Sequence, residues 1–284
     1  MLNRWIGILC TLFMLSANTT LFVRDILPGL LAGDPPELDD LSLEAGTTRR
    51  IQTGVFNARD ENIGRSWTVS FMQAGLLNVT SCTRLNPITL PNGLTTPGAR
   101  IDTELRYRVD DGLLDSMSMS IRGLPVGVTM HGDFIPPDEF ACCWRLGKVQ
   151  RGTFRLSADA TRALGDVLRP FTRLPGLYVG RTWRLHLLDP LAQVVPGLRN
   201  NDLLAEPILV RVTGTEMIEH RGQQLEVFVV EARRTRAWVD QQGNVLRQEI
   251  DVPLLGRLTL RDEPFDDEVF QEARVWSPDA SEEE

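Results

Sequence analysis

The sequence predicts a mainly β protein: one large curved antiparallel sheet built from two tandem β units, one linker helix and an N-terminal transmembrane helix. Three observations carry that expectation. Apolar and polar residues alternate with period two over much of the chain, glycine-bearing turns separate the alternating runs, and a run without charge opens the sequence. The composition agrees with a globular body. The chain has 284 residues, 42% of them hydrophobic and 24% charged, with a formal charge of −8. This excludes a collagen-like or largely disordered chain.

Residues 5–23 (WIGILCTLFMLSANTTLFV) carry no charge. As a helix they span about 28 Å, close to the hydrocarbon thickness of a bilayer. Arg4 precedes the run and acids follow it, so the positive-inside asymmetry places the body outside the cytoplasm. A cleaved signal segment is the alternative; Leu15 fits its small-residue cleavage rule poorly, and Asn18, Thr19 and Thr20 weaken the span. Residues 1–24 are thus an anchor or signal segment, and 25–48, with Asp34-Pro35-Pro36-Glu37-Leu38-Asp39-Asp40, an acidic tether.

Strands follow. Ile101, Thr103, Leu105, Tyr107 and Val109 alternate with Asp102, Glu104, Arg106 and Arg108. Met117, Met119 and Ile121 alternate with serines. The run 225–230 (LEVFVV) is apolar on both faces, as in a central strand. Asp110-Asp111-Gly112, His220-Arg221-Gly222 and Gln242-Gly243-Asn244 sit where hairpins need positive φ. A helix is expected over residues 158–168, with Ser157 as N-cap and Pro170 as its stop. The first β unit is placed at 49–156, the linker helix at 157–169 and the second unit at 170–262. Residues 263–284, with ten acids from Asp262 onward against one base, read as a disordered acidic tail.

Two stretches recur in order. Ile63-Gly64-Arg65-Ser66-Trp67 matches Val179-Gly180-Arg181-Thr182-Trp183, and the segment from Ile121 to Asp133 echoes that from Ile250 to Asp262. Internal duplication is the expectation they raise, with Trp67 and Trp183 on the inner face of equivalent strands and Pro125 and Pro253 at equivalent bends. Residues 236–249 (RAWVDQQGNVLRQE) and the preceding Gly-Arg-Thr-Trp strand resemble the recurring hairpin of bacterial envelope proteins related to the lipoprotein-carrier half-barrels. The likeness covers residues 178–262 best. It implies a curved sheet whose concave face is covered by a helix or holds an apolar ligand, and it brings no catalytic set.

The motifs of common reactions are missing from the sequence: no GxSxG, HExxH, phosphate loop or CxxC. Neither a cofactor nor a bound metal is expected. Nucleic acid is excluded as a partner, because the body is only mildly basic and poor in aromatics. In an oxidising compartment Cys82 is expected to bridge Cys142 or Cys143. The rival reading groups His131, Asp133, Cys142 and Cys143 as a nucleophile or metal cluster. Arg184 and His186 share a strand face opposite Trp183. They form, with Trp67 and Trp183, the candidate ligand-binding set, and Thr68 and Ser70 stand for that face in the first unit. The preferred function is a non-catalytic, membrane-tethered module binding a partner protein or an amphipathic, lipid-like ligand. An enzyme using the cysteine cluster and a purely structural spacer are the alternatives.

Overall fold

The computed structural model describes residues 2–23, 27–30, 32–33, 36, 46–89, 95–123, 127–148, 150–161, 171, 173–185, 208–233, 235–252 and 256–275. Its body is one fourteen-stranded antiparallel sheet. The chain enters at β1 (Thr48–Phe56) and runs outward through β2 (Asn62–Gln73), β3 (Leu76–Leu85), β6 (Ala99–Arg108), β7 (Leu114–Arg122), β8 (Val128–Ile135), β9 (Glu139–Leu146) and β10 (Gln150–Ser157). A short ribbon, β4 (Ile88–Thr89) with β5 (Thr95–Thr96), interrupts the meander. The second half runs from the far edge inward: β11 (Thr182–Leu185), β12 (Ile208–His220), β13 (Gln223–Ala232), β14 (Thr235–Val239), β15 (Val245–Val252) and β16 (Gly256–Glu263). The last strand closes on the first: β16 pairs with β1, Val55 opposite Leu260. The two halves therefore share one sheet, because β1 is hydrogen-bonded to both.

Alternation decides which side chains lie inside. Leu105, Met117, Met130 and Phe140 from the first half join Ile250, Leu258 and Leu260 from the second in one buried cluster. Trp183, Val210, Val212, Val230 and Val239 form another on the same face, closed by Phe171 and Leu174. A single sheet buries an entire face only by curling that face inward. The positive-φ turns stand where they are expected, at Gly112, Arg221-Gly222 and Gly243. Gly243 also lets the backbone of residues 174–175 approach, since a Cβ there would meet the Leu174 carbonyl oxygen at 2.8 Å. The run 225–230 is an interior strand, with Val227 and Val229 buried on one side and Val230 on the other.

Several expectations are corrected. The proposed duplication does not survive the strand count. Four strands, β2, β3, β6 and β7, lead from Trp67 to the bend after Ile121, but five, β11 to β15, lead from Trp183 to the bend after Ile250. In an antiparallel sheet one additional strand reverses direction, so the second match cannot superpose. The registers also place Trp67 and Trp183 on opposite faces of the sheet. Pro125, Pro253 and His186 lie outside the described residues, as do most of the expected linker helix and the tether. What is described of that helix is a 3-10 turn, Ala158–Thr161, where the Thr161 hydroxyl accepts the Leu114 N–H at 3.2 Å.

The acidic tail is structured through residue 275. Glu263 ends β16, and Asp267–Val275 is a helix. Asp266 caps it, accepting the N–H groups of Glu268 and Val269 at 3.0 and 3.2 Å. The N-terminal helix spans Leu2–Leu21, and its Leu9, Leu12, Phe13 and Met14 stand 59–74% exposed. Among the described residues, however, no helix is long and apolar enough to cross a membrane. Ser16, Asn18, Thr19 and Thr20 dilute the last third of the run, so the expected transmembrane helix is not supported. Part of the tether is docked: the Gly33 N–H donates to the Thr182 carbonyl at 3.0 Å, laying residue 33 beside edge strand β11.

Candidate functional site

The inner face carries an anomaly at its centre. On β2 the inward side chains are Ser66, Thr68 and Ser70, none more than 3% exposed. The registers set Thr53, Ser66 and Thr83 in one cross-strand row and Thr68, Ser81 and Thr103 in the next. Six hydroxyls thus form a two-by-three block over β1, β2, β3 and β6, flanked by Val55, Leu105 and Met119. Ser66 and Thr83 satisfy one another at 2.7 Å. Among the described residues the hydroxyls of Thr53, Thr68 and Thr103 have no hydrogen-bond partner, nor has either end of the Gln248 amide on β15. Each such group costs on the order of 1–3 kcal/mol in desolvation.

Thr68 and Ser70 are buried on the inner face, and Trp67, expected on that face, points the other way. Period two establishes that neighbours oppose each other, but not which of them faces inward. Trp67 is nevertheless 2% exposed, because the C-terminal helix lies over it: its Nε1 donates to Gln52 Oε1 at 2.9 Å and its ring centroid is 6.4 Å from that of Phe270. Gln52 Oε1 also accepts the Asp266 N–H at 3.0 Å, tying the helix start to β1. At the other end Arg100, itself 8% exposed, donates to the Arg274 carbonyl at 2.8 Å and grips both oxygens of Asp102. Arg122 donates to the same carboxylate at 2.7 Å. The signal for this helix was present in Asp266-Asp267-Glu268 followed by Val269, Phe270 and Ala273, but the acid count concealed it.

The cysteine expectations divide. All four cysteines are free thiols. Cys82 lies on β3 and Cys142 and Cys143 on β9, four strands away, which is about 19 Å at ~4.8 Å per strand. The bridge from Cys82 to Cys142 or Cys143 is therefore not formed. The proposed catalytic cluster is split as well: His131, Asp133 and Cys143 share the outer face, whereas Cys142 points inward against Phe140 and Gly132. His131 is the register partner of Cys143, yet no hydrogen bond joins them, and the described residues contain no group of three metal-ligating side chains. Burial pushes the Cys142 thiol up to about 12. Burial and, after it, the neighbouring Asp102 carboxylate push Cys82 up to about 12. Neither is a thiolate near neutrality. His131 lines a crevice of about 240 Å³ with Asp102, Glu104, Ser118, Ser120 and Thr129, edged by Phe270.

Of the remaining candidates, Trp183 is a core residue at 1% exposure and Arg184 is exposed on the outer side of β11. The structure does not bring Trp67, Trp183 and Arg184 together.

No family model matches the chain, and no curated protein matches it. Solved structures similar to it include a β-barrel-like protein of domain of unknown function DUF1849 from Brucella abortus, with TM-score 0.42 and 8% identity over 77% of this chain and 97% of that one. Another is a DUF1089 family protein from Pseudomonas aeruginosa, with TM-score 0.32 and 16% identity over 67% and 90%. A third, from Bacteroides fragilis, is described as exported with a YmcC-like fold; its TM-score is 0.27 and its identity 10%, over 82% and 100%.

Proposed function

We propose that this chain is an exported, non-catalytic β-sheet module that holds an uncharged amphipathic ligand against the centre of its inner face. The buried hydroxyl block carries this reading: hydroxyls without partners at the middle of a face whose flanks are apolar. Such a surface suits a molecule with apolar arms and a neutral hydrogen-bonding centre. A carboxylate or ammonium there would be desolvated with no countercharge among the six side chains. The exposed apolar residues of the N-terminal helix support export, with residues 5–23 engaging the membrane as anchor or signal and the body outside the cytoplasm. The division of His131, Asp133 and Cys143 from Cys142 weighs against the enzyme reading.

The ligand test compares a medium-chain monoacylglycerol with the fatty acid of the same length, using the full chain in mild detergent and native mass spectrometry. The neutral lipid should be retained at one per chain, and Thr68→Val should weaken it at least tenfold. Absence of saturable uptake, or equal retention of the fatty acid, would overturn the reading.

A partner protein is the second reading, favoured by β10. Among the described residues no strand pairs with its outer side, so its outward-pointing N–H and C=O groups, on alternate residues, are open to strand addition. Arg151 on that strand favours an acidic extended segment, Arg155 being paired with Glu139 at 2.9 Å. Pro substitution of Thr153 should abolish such an association without affecting lipid retention.

A further inference from the structure

In an antiparallel sheet the strand order fixes which connections lie at which end. β1 ends where β16 begins, so the connections β1–β2, β3–β6, β7–β8, β9–β10, β13–β14 and β15–β16 share one end of the sheet. The connections β6–β7, β8–β9, β12–β13 and β14–β15 share the other. Among the described residues the two ends differ in charge. The second carries Asp110, Asp111, Asp138 and Asp240 against Arg221, and the chain leaving β16 there enters Asp266-Asp267-Glu268. At the first end, residues 86–98, 123–127, 147–149 and 253–255 contain no acid, and Arg233 stands exposed in the β13–β14 turn. Asp60 and Glu61 in the β1–β2 turn are engaged by Arg261 and Asn57.

The positive charge concentrates at the tip of the β9–β10 hairpin. Arg145 and Arg151 are register partners on the outer face, and Lys148 stands in the turn between them. All three are exposed, and residues 140–157 contain no acid. Among the described residues no side-chain hydrogen bond or ion pair engages any of the three. Like charges directly opposite one another destabilise a sheet unless an anion is brought between them. On the inner side of the same hairpin Trp144 and Leu146 are half-buried. The Trp144 indole lies across Gly152, where a Cβ would meet it at 2.7 Å. The tip therefore joins open cations to an aromatic and an aliphatic side chain. That combination suits the boundary of a bilayer with anionic headgroups, where cations meet phosphates and an indole sits at headgroup level.

We propose that the tip of the β9–β10 hairpin docks the body on an anionic phospholipid surface. The choice of a bilayer over another anionic surface rests on the reading above of residues 5–23, which brings the body beside a membrane.

Lys148 is the only lysine of the chain, so its acylation by a succinimidyl ester, followed by peptide mass spectrometry, reads contact at the tip. The full chain is placed in nanodiscs of phosphatidylcholine, alone or mixed with phosphatidylglycerol. Phosphatidylglycerol should slow acylation of Lys148 at least tenfold, and high salt should abolish that protection by screening the surface charge. The double variant Arg145→Gln, Arg151→Gln should lose most of it. These discs contain no partner chain for β10, so protection in them does not arise from strand addition. Flotation of the full chain with phosphatidylcholine vesicles reports on residues 5–23 separately. A chain that floats only when phosphatidylglycerol is present would overturn the anchor and support the tip. Lys148 acylation indifferent to phosphatidylglycerol, or protection that survives the double variant, would overturn the docking surface.

Discussion

Thr53, Thr68 and Thr103 are nearly isosteric with valine, and their hydroxyls are buried without partners among the described residues. Removing such a hydroxyl removes its desolvation penalty. Thr68→Val and Thr103→Val should therefore each raise stability by about 1 kcal/mol in urea unfolding of the ligand-free chain. A loss of similar size would show that the hydroxyl is satisfied within the folded state. The thiols provide a second check at this scale. With Cys82 and Cys142 pushed up to about 12, both stay protonated at pH 8. The native chain should modify quickly at Cys10 and Cys143, which are exposed, while Cys82 and Cys142 should label only after unfolding. Peptide mass spectrometry after alkylation distinguishes the sites; fast labelling of Cys82 would mean that the C-terminal helix does not cover it.

That helix is the element on which the outer face depends. Nine residues are too few for a helix to persist alone in water, so it owes its existence to the sheet. Trp67 and Phe270 provide the apolar contact, Gln52 fixes the start and Arg100 the end. Ending the chain at residue 264 should expose Trp67 and shift tryptophan emission to longer wavelength. Phe270→Ala should cost about 1–2 kcal/mol, below the usual range for a fully buried phenylalanine because its ring is half-buried. Arg100→Met removes both the cap on Arg274 and one partner of Asp102. It should cost about 1–3 kcal/mol, with the loss read from urea midpoints. If emission is unchanged in the shortened chain, the helix is not what buries Trp67.

At the scale of the molecule, β1 is shared. Its pairing with β2 on one side and β16 on the other makes the two halves one hydrogen-bonded body, although 200 residues separate Phe56 from Gly256 in the chain. Unfolding of the chain in urea should show a single transition by far-UV circular dichroism and by tryptophan emission. Residues 46–161 and 171–275 expressed apart should not fold. A stable separate half would restore the tandem-unit description. Export is also tested here: alkaline phosphatase fused after residue 40 should be active and membrane-retained if the segment anchors, or active and released if it is cleaved. An inactive fusion would mean that the body stays inside.

Much of the architecture was legible in the alternation itself. Period-two runs with glycine turns between them marked the strands from Ala99 to Arg122 and the central strand β13, because pleat geometry and positive φ are local requirements. The sequence by itself therefore determined a β protein that opens on an uncharged apolar run, and the positions of most of its turns. Three things were decided only by the tertiary structure. Which face of β2 turns inward depends on what lies across it, so Thr68 and Trp67 exchanged places. Whether Cys82 meets Cys142 or Cys143 depends on the number of strands inserted between β3 and β9. Whether residues 267–275 form a helix depends on Trp67, Gln52 and Arg100, residues far away in the chain that supply the burial and caps that a short acidic segment lacks.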